Sequence, residues 1–263
     1  MRLTILRGGS PASRDRVAAP RTASEAGVPA FGDGLQWVLV NISAAVARQI
    51  ADDTLPASVT GLADAAVRAV VLTDAQLEHV GGLLALRGGA PIDLYATPAV
   101  FEELSCNLPV LPALQHYCGV HWRVIPVAGD RHCASFRVEG LPTLEFTAVA
   151  TQAPPLPHVQ AQRAVVGDQI ALIVRDLASG GQVFCAPGLV DPGPQEIEWM
   201  RASDCVLLGD MSSEAEAGVD ALEWMSALPS RLKVMLARAD PPQQQWLARR
   251  GIAVASDGME IDL

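Results

Sequence analysis

Five polar side chains fall within seven residues of one another: Thr73, Asp74, Gln76, Glu78 and His79. Ala69–Leu72, just before them, is a continuous apolar run, and Gly81-Gly82 follows. A buried strand that stops in polar residues holds them on a rigid scaffold at a crevice, where open α/β sheets bind ligands. A carboxylate beside an imidazole is part of the set that suits non-haem iron or a similar ion with coordination positions left open. The bland alternative is that Glu78 and His79 hydrogen-bond each other and the loop backbone.

Two other stretches carry candidate imidazoles. Gln115-His-Tyr-Cys-Gly-Val-His-Trp122 gathers His116, Cys118 and His121, but their spacing matches no zinc module, so aromatic packing along a pocket wall is the expected role. His158 ends a Pro-Pro-Leu-Pro-His segment that leaves the strand expected over Leu144–Val149; it is a further candidate pocket residue and metal ligand.

The elements that must position these groups alternate along the chain. Gln36–Asn41 reads as a strand, Ser43 as the cap of a helix over Ala44–Ile50, Ile92–Ala96 as a strand, and Thr97-Pro98 as the cap and first turn of a helix to Leu104. Ile170–Val174 and Gln182–Ala186 flank Ser179-Gly-Gly181 as a hairpin. Ile197–Ala202 is the next helix and Cys205–Leu208 a buried strand; a helix over Val219–Leu228 and a strand over Lys233–Leu236 come after it. Asp240-Pro241 then opens a helix with Arg249 and Arg250 at its end. Gly82–Leu86 also reads as a helix start, and residues 7–34 as an irregular loop bearing Arg7, Arg14, Arg16 and Arg21. Alternation of strand and helix predicts a layered α/β fold, spanning residues 1–263 as a single domain.

Composition bounds the partners. With 263 residues, half of them hydrophobic, the chain can bury a large core. A formal charge of −10 argues against nucleic acid or an anionic membrane and favours a small-molecule or peptide-derived ligand. Five cysteines without a Cys-x-x-Cys pair, two of them in apolar runs, point to free thiols and a cytoplasmic setting. Neither a signal sequence nor a membrane-length apolar run is expected. Oligomeric state is left open, with a homodimer one arrangement.

Thr73-Asp-Ala-Gln-Leu-Glu-His-Val-Gly-Gly-Leu83 resembles the metal loop of the metallo-β-lactamase superfamily, with Asp74 and Gln76 where the first two histidines stand and Glu78 in place of the aspartate. The resemblance widens, against the pyrroloquinoline quinone (PQQ) synthesis protein B family, to collinear segments. They are Asp33–Asn41, Leu94–Pro98, Gly167–Val174, Ala186–Leu189, Ala202–Leu208 and Asp257–Met259. It implies a four-layer αββα sandwich and a part in PQQ biosynthesis, by oxidation of the tyrosine ring of a Glu-Tyr precursor or by handling of precursor or product. Under it, Glu78 and His79 are metal ligands, with Asp74 or Gln76 orienting substrate, and one divalent ion (iron, manganese or zinc) is the cofactor. Departures from the family leave open a member with no metal: Ala237 stands at a histidine position, and residues 7–32 lack cysteine and histidine, so no structural zinc is expected. Pro187-Gly188 replace the aspartate that bridges two metals in the hydrolases. A catalytically degenerate paralogue that binds a small molecule, peptide or partner protein is the alternative, and a metal-dependent hydrolase the third reading.

Overall fold

Both faces of the central strands are apolar, which explains their unbroken hydrophobic runs. In β4 (Arg68–Val71), Val70 packs into one core and Val71 into another. Leu39 of β3 (Trp37–Val40) and Leu94 of β5 (Ile92–Ala96) side with Val70, while Val38, Val40 and Tyr95 side with Val71. Such strands need a layer on each side, and the computed structural model supplies both; it describes residues 1–7, 26–59, 62, 68–152, 165–209 and 224–263.

Strands β1 (Arg2–Leu6), β2 (Val28–Gly32), β3, β4, β5 and β6 (Val120–Val124) lie side by side in chain order, and the C-terminal strand β14 (Met259–Asp262) pairs antiparallel with β1 to complete a seven-stranded sheet. From β3 to β6 the pairing is parallel. The second sheet runs β13-β12-β11-β10-β9-β8-β7, from Ala253–Val254 at one edge to Cys133–Phe136 at the other. Its interior strands are β8 (Leu144–Ala150), β9 (Ile170–Asp176), β10 (Gln182–Ala186), β11 (Cys205–Leu208) and β12 (Leu232–Met235). Phe31, Phe146, Val174, Cys185 and Leu207 fill the space between the sheets.

Helices cover the outer faces. α1 (Ala44–Ala51), α3 (Pro98–Cys106) and α4 (Val110–Gln115) bury Val46, Ile50, Val100, Leu104 and Leu114 against the first sheet. α5 (Pro194–Arg201) and α6 (Pro241–Ala248) place Met200 and Leu247 on the second. The result is the αββα sandwich. Ser43 and Thr97 accept hydrogen bonds from Val46 N and Val100 N, and Asp240 forms a capping box with Gln243, so the helix starts lie where cap residues stand in the sequence.

The structure departs from the sequence reading at three places. β2 lies inside the stretch 7–34 taken as irregular; its five buried residues are interrupted by Pro29 and end in Gly32, which hides the strand pattern. Leu83–Gly88 is a 3-10 helix and not the start of a longer helix, because Gly88-Gly89 ends it. The loosely patterned region before His132 holds α4 and the edge strand β6, whose outer side is solvated. The first half of the expected helix 219–228, together with Arg14, Arg16, Arg21 and His158, lies outside the described residues, and of its second half residues 224–226 are helical.

Candidate functional site

The C-terminal ends of β3 and β4 and the neighbouring ends of β8, β9, β10 and β11 meet at one rim of the sandwich, and the polar side chains collect there. α2 (Leu77–Val80) is a single turn of helix that returns His79 beneath Asp74. His79 Nδ1 lies 2.7 and 2.8 Å from the two carboxylate oxygens of Asp74. Both residues are buried, Asp74 at 1% and His79 at 5% exposure. His79 Nε2 has no hydrogen-bond partner among the described residues.

Asp74 is held from other sides as well. Its Oδ1 accepts from Gln76 N at 2.9 Å, and its Oδ2 lies 3.0 Å from the Thr73 hydroxyl. Thr73 in turn meets the amide of Asn41, a residue in the left-handed region at φ 63°. Burial alone would raise the Asp74 carboxyl, but the adjacent His79 charge and the donors from His79, Gln76 and Thr73 outweigh it and hold it below its ordinary value. For His79, burial favours the neutral ring, yet the Asp74 carboxylate wins and raises the imidazole above its ordinary value.

The second sheet closes the site from above. Gln169 precedes β9, is buried, donates to Gly188 O at 2.7 Å and accepts from the Thr151 hydroxyl at 3.0 Å. Ile170 N donates to Thr73 O at 2.8 Å, which ties the two sheets together beside the dyad. A Cβ on Gly188 would sit 2.3 Å from Gln169 Nε2, 2.7 Å from Asp74 Oδ2 and 3.2 Å from Gln76 Nε2. A side chain at position 188, which stands at the bridging-aspartate position of the resembled hydrolases, would therefore meet an amide from the start of β9 in the second sheet and a carboxylate from the end of β4 in the first.

Of the sequence candidates, the structure brings Asp74, Gln76 and His79 together. Glu78 is exposed and makes no hydrogen bond or ion pair among the described residues. The alternative in which Glu78 and His79 bond each other gives way to a His79–Asp74 bond, because the helical turn points residues 78 and 79 in different directions. His158 lies outside the described residues. Ala237 is buried in the outer core of the second sheet. His116 is exposed and His121 leans on Asp93 at 3.1 Å, while Trp122 stacks on Phe101 at 3.8 Å. Asn41, Thr73, Thr151 and Gln169 complete the polar cluster; the signal for each was a polar residue at the border of an apolar run.

A carboxylate on Nδ1 is the partner that metal-binding imidazoles commonly have, and it leaves Nε2 outward. Among the described residues, however, no three histidine, cysteine or acidic side chains converge. These described side chains by themselves do not make up a zinc centre, which needs at least three protein donors.

Fold and site together define a domain of the metallo-β-lactamase type, and residues 36–236 match the beta-lactamase superfamily domain. Coenzyme PQQ synthesis protein B of Methylobacillus flagellatus is 35% identical over 94% of this chain and 89% of its own length. The protein of that name from Klebsiella pneumoniae is 32% identical over 94% and 88%. This chain belongs to the coenzyme PQQ synthesis protein B family. Among solved structures, zinc-bound PqqB from Methylobacterium extorquens superposes over the whole of both chains with a TM-score of 0.74 at 20% identity. A diphosphatase of the PhnP family gives a TM-score of 0.63 at 14% identity over 100% of this chain and 97% of its own. No helix among the described residues is long and apolar enough to cross a membrane.

Proposed function

We propose that this chain serves PQQ biosynthesis by binding a small, peptide-derived substrate, a Glu-Tyr precursor or its product, at the strand ends around His79. The observation that supports this reading is the buried Asp74–His79 couple, which aims a single imidazole nitrogen outward from a polar cluster. Protonated, His79 Nε2 donates to a substrate oxygen; neutral, it accepts a substrate proton. Gln76, whose side-chain amide makes no hydrogen bond among the described residues, is free to orient a carbonyl or hydroxyl beside it.

A reading without catalysis is favoured by one observation: Glu78 is exposed and gives the imidazole no second donor. It keeps the binding site and drops the reaction. The hydrolase reading loses support, since the bridging position is Gly188, where a side chain would meet Gln169 and Asp74.

Expression of the chain in a bacterium lacking its own PQQ synthesis protein B tests the proposal. Restored PQQ production, lost with His79→Ala, supports it; no restoration by a folded wild-type chain overturns it. Calorimetry with a Glu-Tyr dipeptide separates the two readings: binding without restoration leaves a binding protein. Elemental analysis of the purified protein is expected to give metal well below one equivalent.

A further inference from the structure

The Asp74–His79 couple does not stand alone: Asn41 and Thr73 join it in a closed set of hydrogen bonds whose polarity is fixed by the backbone. Thr73 N can only donate, and the atom of Asn41 it meets, at 2.9 Å, is therefore Oδ1. That fixes the amide, so Nδ2 is the atom facing Thr73 Oγ1 at 2.8 Å, and it can only donate. The Thr73 hydroxyl proton must then go elsewhere. Two acceptors are in reach, Asn41 Oδ1 at 3.2 Å and Asp74 Oδ2 at 3.0 Å. Asn41 Oδ1 is already served by Thr73 N, whereas an ionised carboxylate is the stronger acceptor. The proton goes to Asp74.

We infer that Asn41 and Thr73 are positioning residues for the site: the chain Asn41 Nδ2–H to Thr73 Oγ1–H to Asp74 fixes the carboxylate, and so fixes His79 with its proton on Nδ1 and Nε2 outward. Asn41 follows β3 directly, and its left-handed backbone, φ 63°, aims the side chain across to β4. Its own N–H stays on Val71 O at 2.8 Å. Asparagine is one of the few non-glycine residues that tolerate this conformation, and strained backbone of this kind persists where surrounding bonds determine it. Asn41, Thr73 and Asp74 are all at most 3% exposed, so water does not compete for these bonds.

The inference rests on the reading of His79 as the working imidazole, but its test does not depend on activity. Nitrogen-15 spectra of the imidazoles, taken above the His79 titration, report which nitrogen holds the proton, and a low-field resonance reports the Nδ1–H bond. Wild type is expected to show a single His79 tautomer with Nε2 unprotonated and one low-field signal. Thr73→Val, which removes the hydroxyl at nearly constant volume, and Asn41→Gly, which keeps the backbone conformation and removes the amide, are expected to give mixed tautomers and a weakened signal. Thr73→Ser is expected to restore both. A folded Thr73→Val or Asn41→Gly protein with the wild-type spectrum would overturn the inference. Failure of PQQ restoration with these spectra intact would instead overturn the functional reading. Should either variant fail to fold, the Thr73→Ser spectrum and the wild-type tautomer still decide: a wild-type proton on Nε2 is fatal to the relay.

Discussion

His79 Nδ1 and the Asp74 carboxylate, 2.7 and 2.8 Å apart, form a buried ion pair between residues five apart in the chain. Removing one partner strands the other. Asp74→Ala is therefore expected to cost about 3 kcal/mol, the usual penalty for breaking a buried pair, measured as a shift in the urea midpoint at constant slope. It should also leave the imidazole without an orienting partner and abolish the low-field His79 signal.

The same pair shapes the pH dependence of stability. His79 is raised in the fold, so its contribution is complete below the ordinary histidine value of 6.5 and is lost as pH rises through the higher folded value. Asp74 is lowered, so its contribution is complete above 3.8 and is lost as pH falls through the folded value. Stability should be flat between those limits and fall on both sides. His79→Asn should remove the alkaline fall. An acid fall should persist, because Asp176 is also held low, to about 2: burial would raise it, but the Met1 ammonium 2.6 Å away prevails. Denaturant melts across pH on the two proteins check this.

Glu78 gives the opposite expectation from its neighbour. It is exposed on the first turn of α2 and makes no hydrogen bond or ion pair among the described residues, only a weak field on His79, so Glu78→Gln should change stability by no more than about 0.5 kcal/mol. Its metal content should match that of wild type. A loss of bound metal on Glu78→Gln, read by elemental analysis, would show that the exposed carboxylate is a ligand.

Several features were legible because local chemistry decides them. Ser43, Thr97 and Asp240 cap helices, Pro98 and Pro241 open them, and Ile92–Ala96 is a strand with the bounds its apolar run suggests. The strand end carrying Thr73 to His79 was legible for the same reason. What the sequence concealed is long-range. Asp74 was a candidate for orienting substrate, yet it is turned onto His79 by one short helix whose length no residue pattern specifies. Gln169 and Thr151 reach the site only because β8 and β9 pair antiparallel and bring a strand end and a strand start to the same rim. β2 was hidden because Pro29 and Gly32 carry a loop's composition in a buried strand.

The two core thiols should be inert. Cys185 and Cys205 lie on adjacent strands, wholly buried between the sheets, and burial raises Cys185 strongly and pushes Cys205 up to about 12. An aromatic disulfide reagent should therefore titrate the exposed Cys106 quickly, Cys133, whose thiol burial also raises, more slowly, and the two core thiols only when the protein unfolds. Rapid native reaction at Cys185 or Cys205, located by peptide mapping, would contradict this packing.

Gly188 and Gly209 both admit no side chain, but for different reasons and with different expected costs. A Cβ at Gly188 meets the ends of side chains, Gln169 Nε2 at 2.3 Å and Asp74 Oδ2 at 2.7 Å, which can rotate away only by giving up their hydrogen bonds. Gly188→Ala should cost about 1–3 kcal/mol, as overpacking does, and should disturb the His79 signal because Asp74 moves. At Gly209 the Cβ would lie 1.7 Å from the Pro187 carbonyl oxygen, which is backbone. Relief there requires the end of β11 or the turn after β10 to shift as a unit, so Gly209→Ala should cost more than Gly188→Ala, about 4 kcal/mol or above. Unfolding curves for the two variants rank them. The reverse ranking would place the tighter constraint on the polar cluster and not on the backbone crossing behind it.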